Sequence, residues 1–128
     1  MITKPIDIIQ AFADGVNEGS ADKLISLYDE KAVLIPTFSA RTRKTPAQIR
    51  DYFETLAQKP GLGLGLHDKT VNIIHVQDEV YALSGLYLWR FSVDDEILNF
   101  EARFSYIVDL KLQNPILQHH SSQIPRTL

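Results

Sequence analysis

The stretch VYALSGLYLWRFSVDDEILNFEARFSYIVD, Val80 to Asp109, decides the architecture of this 128-residue chain. It predicts two long strands, Val80 to Phe91 and Glu96 to Asp109, joined across Ser92-Val93-Asp94-Asp95, where small and acidic residues favour a turn over a continued ladder. In the first strand Tyr81, Leu83, Gly85, Tyr87 and Trp89 share one face, while Ala82, Ser84, Leu86, Leu88 and Arg90 share the other. Neither face is plainly polar, so both call for cover. Arg90, Glu101 and Arg103 stand in this apolar ribbon, where a charge needs a partner, a ligand or an edge. The hairpin therefore reads as the wall of a pocket.

The segments on either side predict helices before it and one strand after it. Ile6, Ile9, Ala13 and Val16 recur at helical spacing with Thr3 as a candidate cap and Pro5 in the first turn, giving a helix from about Lys4 to Asn17. Gly19 and Ser20 stop it and cap a second helix carrying Leu24, Leu27 and Tyr28. Ala32 to Ile35 reads as a short strand closed by Pro36, at an edge or a strand end, and Thr37 to Lys44 as a polar, basic crossing. Thr45-Pro46-Ala47-Gln48 combines a cap, a proline at the first helical position and the glutamine of a capping box. The third helix that follows buries Ile49, Tyr52, Phe53 and Leu56 and ends at Lys59-Pro60-Gly61; its Arg50, Asp51 and Glu54 read as a solvated face. The glycine run Gly61 to Leu66 lacks the Lys-Ser/Thr and the following helix of a phosphate loop. His67 to Val76 and Ile116 to Ser122 complete a set of four antiparallel strands; a parallel sheet would need crossover helices, and none are evident. The pattern is a single α+β domain over residues 1–128.

Composition excludes several functions. Apolar residues at 45% and charged residues at 23% match ordinary globular usage. A net charge of −3 with scattered Lys and Arg gives no basic stripe, so no nucleic-acid partner is expected. There is no cysteine, and the four histidines lack metal-helix spacing, so neither a metal site nor a cofactor is expected. Lys4, Pro5 and Asp7 interrupt the N-terminal apolar residues, which argues against a signal peptide or membrane span and for a cytoplasmic location.

Three segments, YDEKAVLIPTFSARTRKTPAQIRDYFETL (28–56), EARFSYIV (101–108) and QHHSSQIP (118–125), resemble the superfamily of nuclear transport factor 2, polyketide cyclases and ketosteroid isomerase. Within it they are most similar to bacterial relatives of the calcium/calmodulin-dependent protein kinase II association domain. The resemblance implies a cone: a strongly curved, mostly antiparallel sheet wrapped around three helices, with a cavity between them. It also implies a homodimer or larger homo-oligomer packed through the sheet. Two features depart from the pattern. Relatives carry Gly-x-Trp before the last strand, where this chain has Leu110-Lys111-Leu112-Gln113-Asn114-Pro115; and no kinase motif is present, so kinase activity is not implied.

The candidate ligand-binding residues are Tyr87, Arg103, His119, His120 and Ser121. Arg103 matches a cavity arginine of the association-domain branch, and its planar fork suits carboxylate or phosphate; the alternative is an internal ion pair with Glu101 or Asp109. Tyr87 offers a phenolic hydrogen bond or simply fills core. His119 and His120 point to opposite faces, so at most one enters the cavity, and Ser121 and Ser122 divide in the same way. No buried aspartate pair of the ketosteroid isomerase kind is evident, and a Ser121-His119-Asp109 triad lacks a diagnostic spacing or nucleophile elbow. The function expected is binding of a small anionic molecule in the cone, with an assembly module as the alternative.

Overall fold

The computed structural model describes residues 2–125. Its order is α1 (Pro5–Asn17), α2 (Ala21–Ile25), β1 (Tyr28–Ile35), α3 (Pro46–Ala57), β2 (Gly63–Leu66), β3 (Asn72–Gln77), β4 (Val80–Val93), β5 (Glu96–Asp109) and β6 (Ile116–Gln123), with a 3-10 turn at Asp68–Thr70. Local chemistry accounts for the helix boundaries. Pro5 opens α1, but Lys4 rather than Thr3 holds the cap position, without a side-chain bond. Ser20 accepts from the Lys23 N–H to start α2. Thr45 accepts from the Gln48 N–H while the Gln48 side chain accepts from the Lys44 N–H, a reciprocal cap one residue wider than the usual box. The third-helix face expected to be solvated is exposed, and Arg50 on it reaches Asp22 of α2 at 2.7 Å.

The sheet runs β1-β6-β5-β4-β2, with β3 also on β4. The hairpin turns in two residues, Asp94 and Asp95, both with positive φ (50° and 65°). That geometry matches the right-handed twist of the flanking strands, so the ladder persists to Val93–Glu96. Three readings of the sheet need correction. The first concerns pairing: β1 lies parallel to β6. The whole intervening chain, α3 included, serves as its crossover, so no dedicated helix was required. The second concerns Gly63–Leu66, which is a strand against residues 87–90 of β4; its glycines hide the β pattern, and a Cβ on Gly63 would stand 2.6 Å from the Arg90 guanidinium. The third concerns 67–76, which is split between the 3-10 turn and β3, pairing with residues 80–84. Between β2 and β3 the Thr70 hydroxyl accepts from the Leu86 N–H at 2.9 Å, replacing a missing rung. Asn17 of α1 protects the free edge of β2, its amide bonding both the N–H and the C=O of Leu64.

Alternation then sorts the faces. Leu83, Tyr87, Trp89 and Phe91 of β4, Ala102, Phe104, Tyr106 and Val108 of β5, and His119 and Ser121 of β6 are all buried. They meet Phe12 of α1, whose ring contacts those of Phe53, Tyr87, Trp89, Tyr106 and His119. The result is the expected α+β cone, a curved, mostly antiparallel sheet closed on its inner face by three helices. On the outer face Ile74, Ala82 and Ile107 stand in register, with Ile74 62% and Ile107 36% exposed.

Candidate functional site

Inside the cone five polar side chains form one chain of hydrogen bonds. His119, 1% exposed, has Nδ1 2.7 Å from the Tyr28 hydroxyl and Nε2 3.1 Å from the Tyr87 hydroxyl. Tyr87 donates to Ser121 Oγ at 2.6 Å, and Ser121 is bonded in turn to the Thr37 hydroxyl. These bonds fix the proton order. Because the Tyr87 proton is spent on Ser121, its oxygen must accept from His119, which places the imidazole proton on Nε2. Nδ1 is then a bare lone pair, and Tyr28 donates into it. Donation runs from Tyr28 through His119 and Tyr87 to Ser121, which shares a hydrogen bond with the half-buried Thr37 hydroxyl.

Burial keeps this chain uncharged. It holds the His119 imidazole down at about 3, with His120 next in sequence adding to the effect. It also raises the Tyr28 and Tyr106 phenols well above their ordinary range, and it raises that of Tyr87 despite opposing hydrogen bonding from Ser121, Thr37 and the Trp89 indole. At neutral pH the interior therefore holds neutral donors and acceptors but no base. Neither ring nitrogen of His119 is bonded to serine or aspartate, which disposes of a Ser121-His119-Asp109 relay; Asp109 instead accepts from the Lys111 N–H. Among the described residues the buried Tyr106 hydroxyl lacks a partner, and the Trp89 indole N–H meets no well-formed bond, reaching only loosely toward the Tyr87 hydroxyl. Beside Trp89 lies a void of about 10 Å³, bounded also by Thr37, Tyr52, His119 and Ser121.

A larger cleft lies against the same stretch of α3. Tyr52 lines both, and Phe38 packs edge-on against Trp89 at 5.4 Å while its N–H donates to the Tyr52 hydroxyl. This cleft, about 340 Å³, is lined by Phe38, Arg43, Tyr52, Lys59 and Phe91 among others. Arg43 lies over the Tyr52 ring and Lys59 over that of Phe91. Arg43 is held in place by bonds from Nε to the Arg41 carbonyl and from Nη2 to Ser39, with Asp51 at 3.6 Å. Five guanidinium N–H groups exceed those needs, leaving donors for a ligand. Burial pushes the Tyr52 phenol up to about 12, so it too stays neutral.

The five candidate residues do not assemble into one site. Tyr87, His119 and Ser121 are together inside the cone. Arg103 and His120 are exposed on the opposite, outer face, in register with Leu86 and Ser105. There they border a shallow basin of about 470 Å³ with Thr70, Ser84 and Ser122. The expectation that Arg103 enters the cavity is thus corrected: its neighbours Ala102 and Phe104 take the inward positions, and alternation sends Arg103 out. The alternative ion pair is not made either, since Arg103 has no carboxylate partner among the described residues, where the ion pairs join Lys23 to Glu18, Arg43 to Asp51 and Arg50 to Asp22. Sequence reasoning missed Tyr28, Thr37, Trp89, Arg43 and Lys59. Tyr28 and Arg43 lie within the first family-like segment, but only tertiary contact shows which residues of that segment face inward.

No family model and no curated protein matches the chain. Solved structures do. A Xanthomonas campestris protein named for the calcium/calmodulin-dependent protein kinase II association domain superposes with a TM-score of 0.84 at 22% identity, over 95% of this chain and 86% of that one. A nuclear transport factor 2-like protein with a cystatin-like fold from Novosphingobium aromaticivorans gives 0.77 at 12% identity, over 94% and 80%. A ketosteroid isomerase-like protein from Erwinia carotovora gives 0.78 at 8% identity, over 94% and 93%. The chain therefore has the nuclear transport factor 2-like, cystatin-like fold that its sequence resembles. At these identities the likeness is one of fold.

Proposed function

We propose that the protein binds a small organic anion at the mouth of its cone, the charge held by Arg43 and Lys59 and the apolar body by Phe38, Tyr52 and Phe91. The observation that carries this reading is the meeting of two cations and three aromatic rings around one cleft of about 340 Å³. That volume lies within the usual range for small-molecule sites, and the mixture of apolar walls with few polar groups is their usual composition. A compact carboxylate with a ring fits this chemistry. Binding rather than catalysis is favoured because the polar interior holds no group that ionises near neutrality. Fold neighbours named as ketosteroid isomerase-like and as a nuclear transport factor 2-like dehydratase are in keeping with a small-molecule site.

Thermal-shift titration with benzoate and cyclohexanecarboxylate tests the proposal, since a ligand of the folded state raises the melting temperature. Wild type should be stabilised by millimolar carboxylate. Lys59→Met should lose most of the shift, while Arg103→Met, on the far side of the sheet, should keep it. Equal shifts in wild type and Lys59→Met would refute the placement of the charge.

A second reading is assembly through the sheet. It draws on the uncovered outer face, where Ile74 and Ile107 are exposed around Ala82. Binding and assembly use opposite faces and are compatible.

A further inference from the structure

We infer that the outer face of β5 pairs with the same face of a second copy of this chain, antiparallel and about a two-fold axis at Ala102, so that Arg103 of each copy meets Glu101 of the other. The inference rests on the assembly reading and adds the register in which two copies meet. Alternation turns Ile97, Asn99, Glu101, Arg103, Ser105 and Ile107 outward, and all are exposed. Glu101 and Arg103 stand about 6.7 Å apart along the strand, yet neither belongs to an ion pair among the described residues. Reversing the strand about Ala102 supplies what each lacks. It sets Arg103 opposite Glu101, Ser105 opposite Asn99 and Ile107 opposite Ile97: charge on opposite charge, polar on polar, apolar on apolar. Tyr87 is the β4 partner of Ala102, so the same axis sets Leu86 opposite Leu88. Other registers lose this match. Centring on Glu101 or Arg103 stacks that charge on its own copy, while centring on Phe100 or Phe104 faces Arg103 with Ile97 or Glu101 with Ile107. An axis along the strand stacks every residue on itself.

The basin on this face supplies a second, independent observation. Arg103 borders about 470 Å³ of open space whose walls carry Ser84, Ser105, His120 and Ser122 but no carboxylate. A carboxylate arriving from the opposite copy meets there a guanidinium fork and hydroxyl donors. Exposure of the flanking residues points the same way: Ile97 is 64% and Ile107 36% exposed, and each lies where the other would cover it. Sheets packed face to face cross at about 30°, so pairs near the axis stay closest and those farther out diverge. The pair of Arg103 with Glu101, made twice beside the axis, is therefore the contact that sets the register.

The test is charge reversal read by sedimentation velocity at micromolar concentration. Glu101→Arg sets arginine against arginine, and Arg103→Glu sets glutamate against glutamate, twice in each pair of copies. Each single variant should dissociate at least about a hundredfold more readily than wild type, because like charges facing across an interface repel. Both positions are exposed, so melting temperatures should show that the variants remain folded. The double variant Glu101→Arg with Arg103→Glu restores opposite charges and should regain the wild-type mass. An equimolar mixture of the two single variants should do the same, since one then offers two arginines and the other two glutamates. Single variants that associate like wild type, or a double variant and a mixture that both stay dissociated, would overturn this register while leaving assembly through the sheet standing. A wild-type mass of 14.5 kDa at the same concentration would overturn the assembly reading and the inference together.

Discussion

At the scale of single residues, His119 sets the pH behaviour of the core. Its unfolded-state value near 6.5 falls to about 3 in the folded protein, chiefly through burial. Between those values the unfolded chain binds a proton that the folded chain refuses. The stability contributed by the neutral imidazole is therefore complete above about pH 6.5 and is lost as the pH falls toward 3, at up to about 1.4 kcal/mol per pH unit. Urea midpoints of wild type should fall steadily from pH 7 to 4, and His119→Gln should show a shallower slope from a lower starting stability. A wild-type midpoint that holds level over this range would mean that the ring is solvated. The sequence divided His119 from His120 but could not say which turned inward, because both carry the same side chain. For Arg103 the signal was present. Ala102, Phe104, Tyr106 and Val108 alternate with Arg103, Ser105 and Ile107, a period of two that sends the arginine outward and outweighs its match to a family cavity residue.

Among the elements, α3 is the one whose caps and buried stripe were most readable, since Thr45, Pro46 and Gln48 act through neighbours in sequence. Its Phe53 is 1% exposed and meets the rings of Phe12, Tyr28 and Tyr52 at 6.1, 5.5 and 5.4 Å. Phe53→Ala should cost about 3–5 kcal/mol, the usual loss for an aromatic truncated in a core. Arg50→Ala, which gives up only an exposed ion pair, should cost less than about 1 kcal/mol. Equal denaturant midpoints for the two variants would place the wrong face inward. Elements defined by distant partners were harder to read. The glycines of β2 suppress strand propensity, and the strand exists because β4 and Asn17 satisfy its backbone from either side. The parallel pairing of β1 with β6 joins segments from opposite ends of the chain, where local pattern carries no information.

For the whole molecule, the decisive asymmetry is that the three helices cover one face of the sheet. Ile107, Ala82 and Ile74 form an apolar row on the other, and self-association is the simplest way to shield it. Light scattering at micromolar concentration should give at least twice 14.5 kDa, and Ile107→Asp should lower the mass. A wild-type mass of 14.5 kDa would remove the assembly reading. No helix among the described residues is long and apolar enough to cross a membrane. The way β4 shares its edges has a mechanical meaning. β5 runs along one side of it unbroken, like the spine of a book, whereas β2 and β3 are separate leaves whose meeting point is tied to Leu86 by the Thr70 hydroxyl and the His67 N–H. β2, tied to α1 through Asn17, lies along residues 87–90 of β4, and β3 lies along residues 80–84, beside the row around Ala82. Phe91 at the mouth and Ala82 on the outer face thus stand toward opposite ends of one continuous strand, so the two candidate surfaces are joined by a single rigid member.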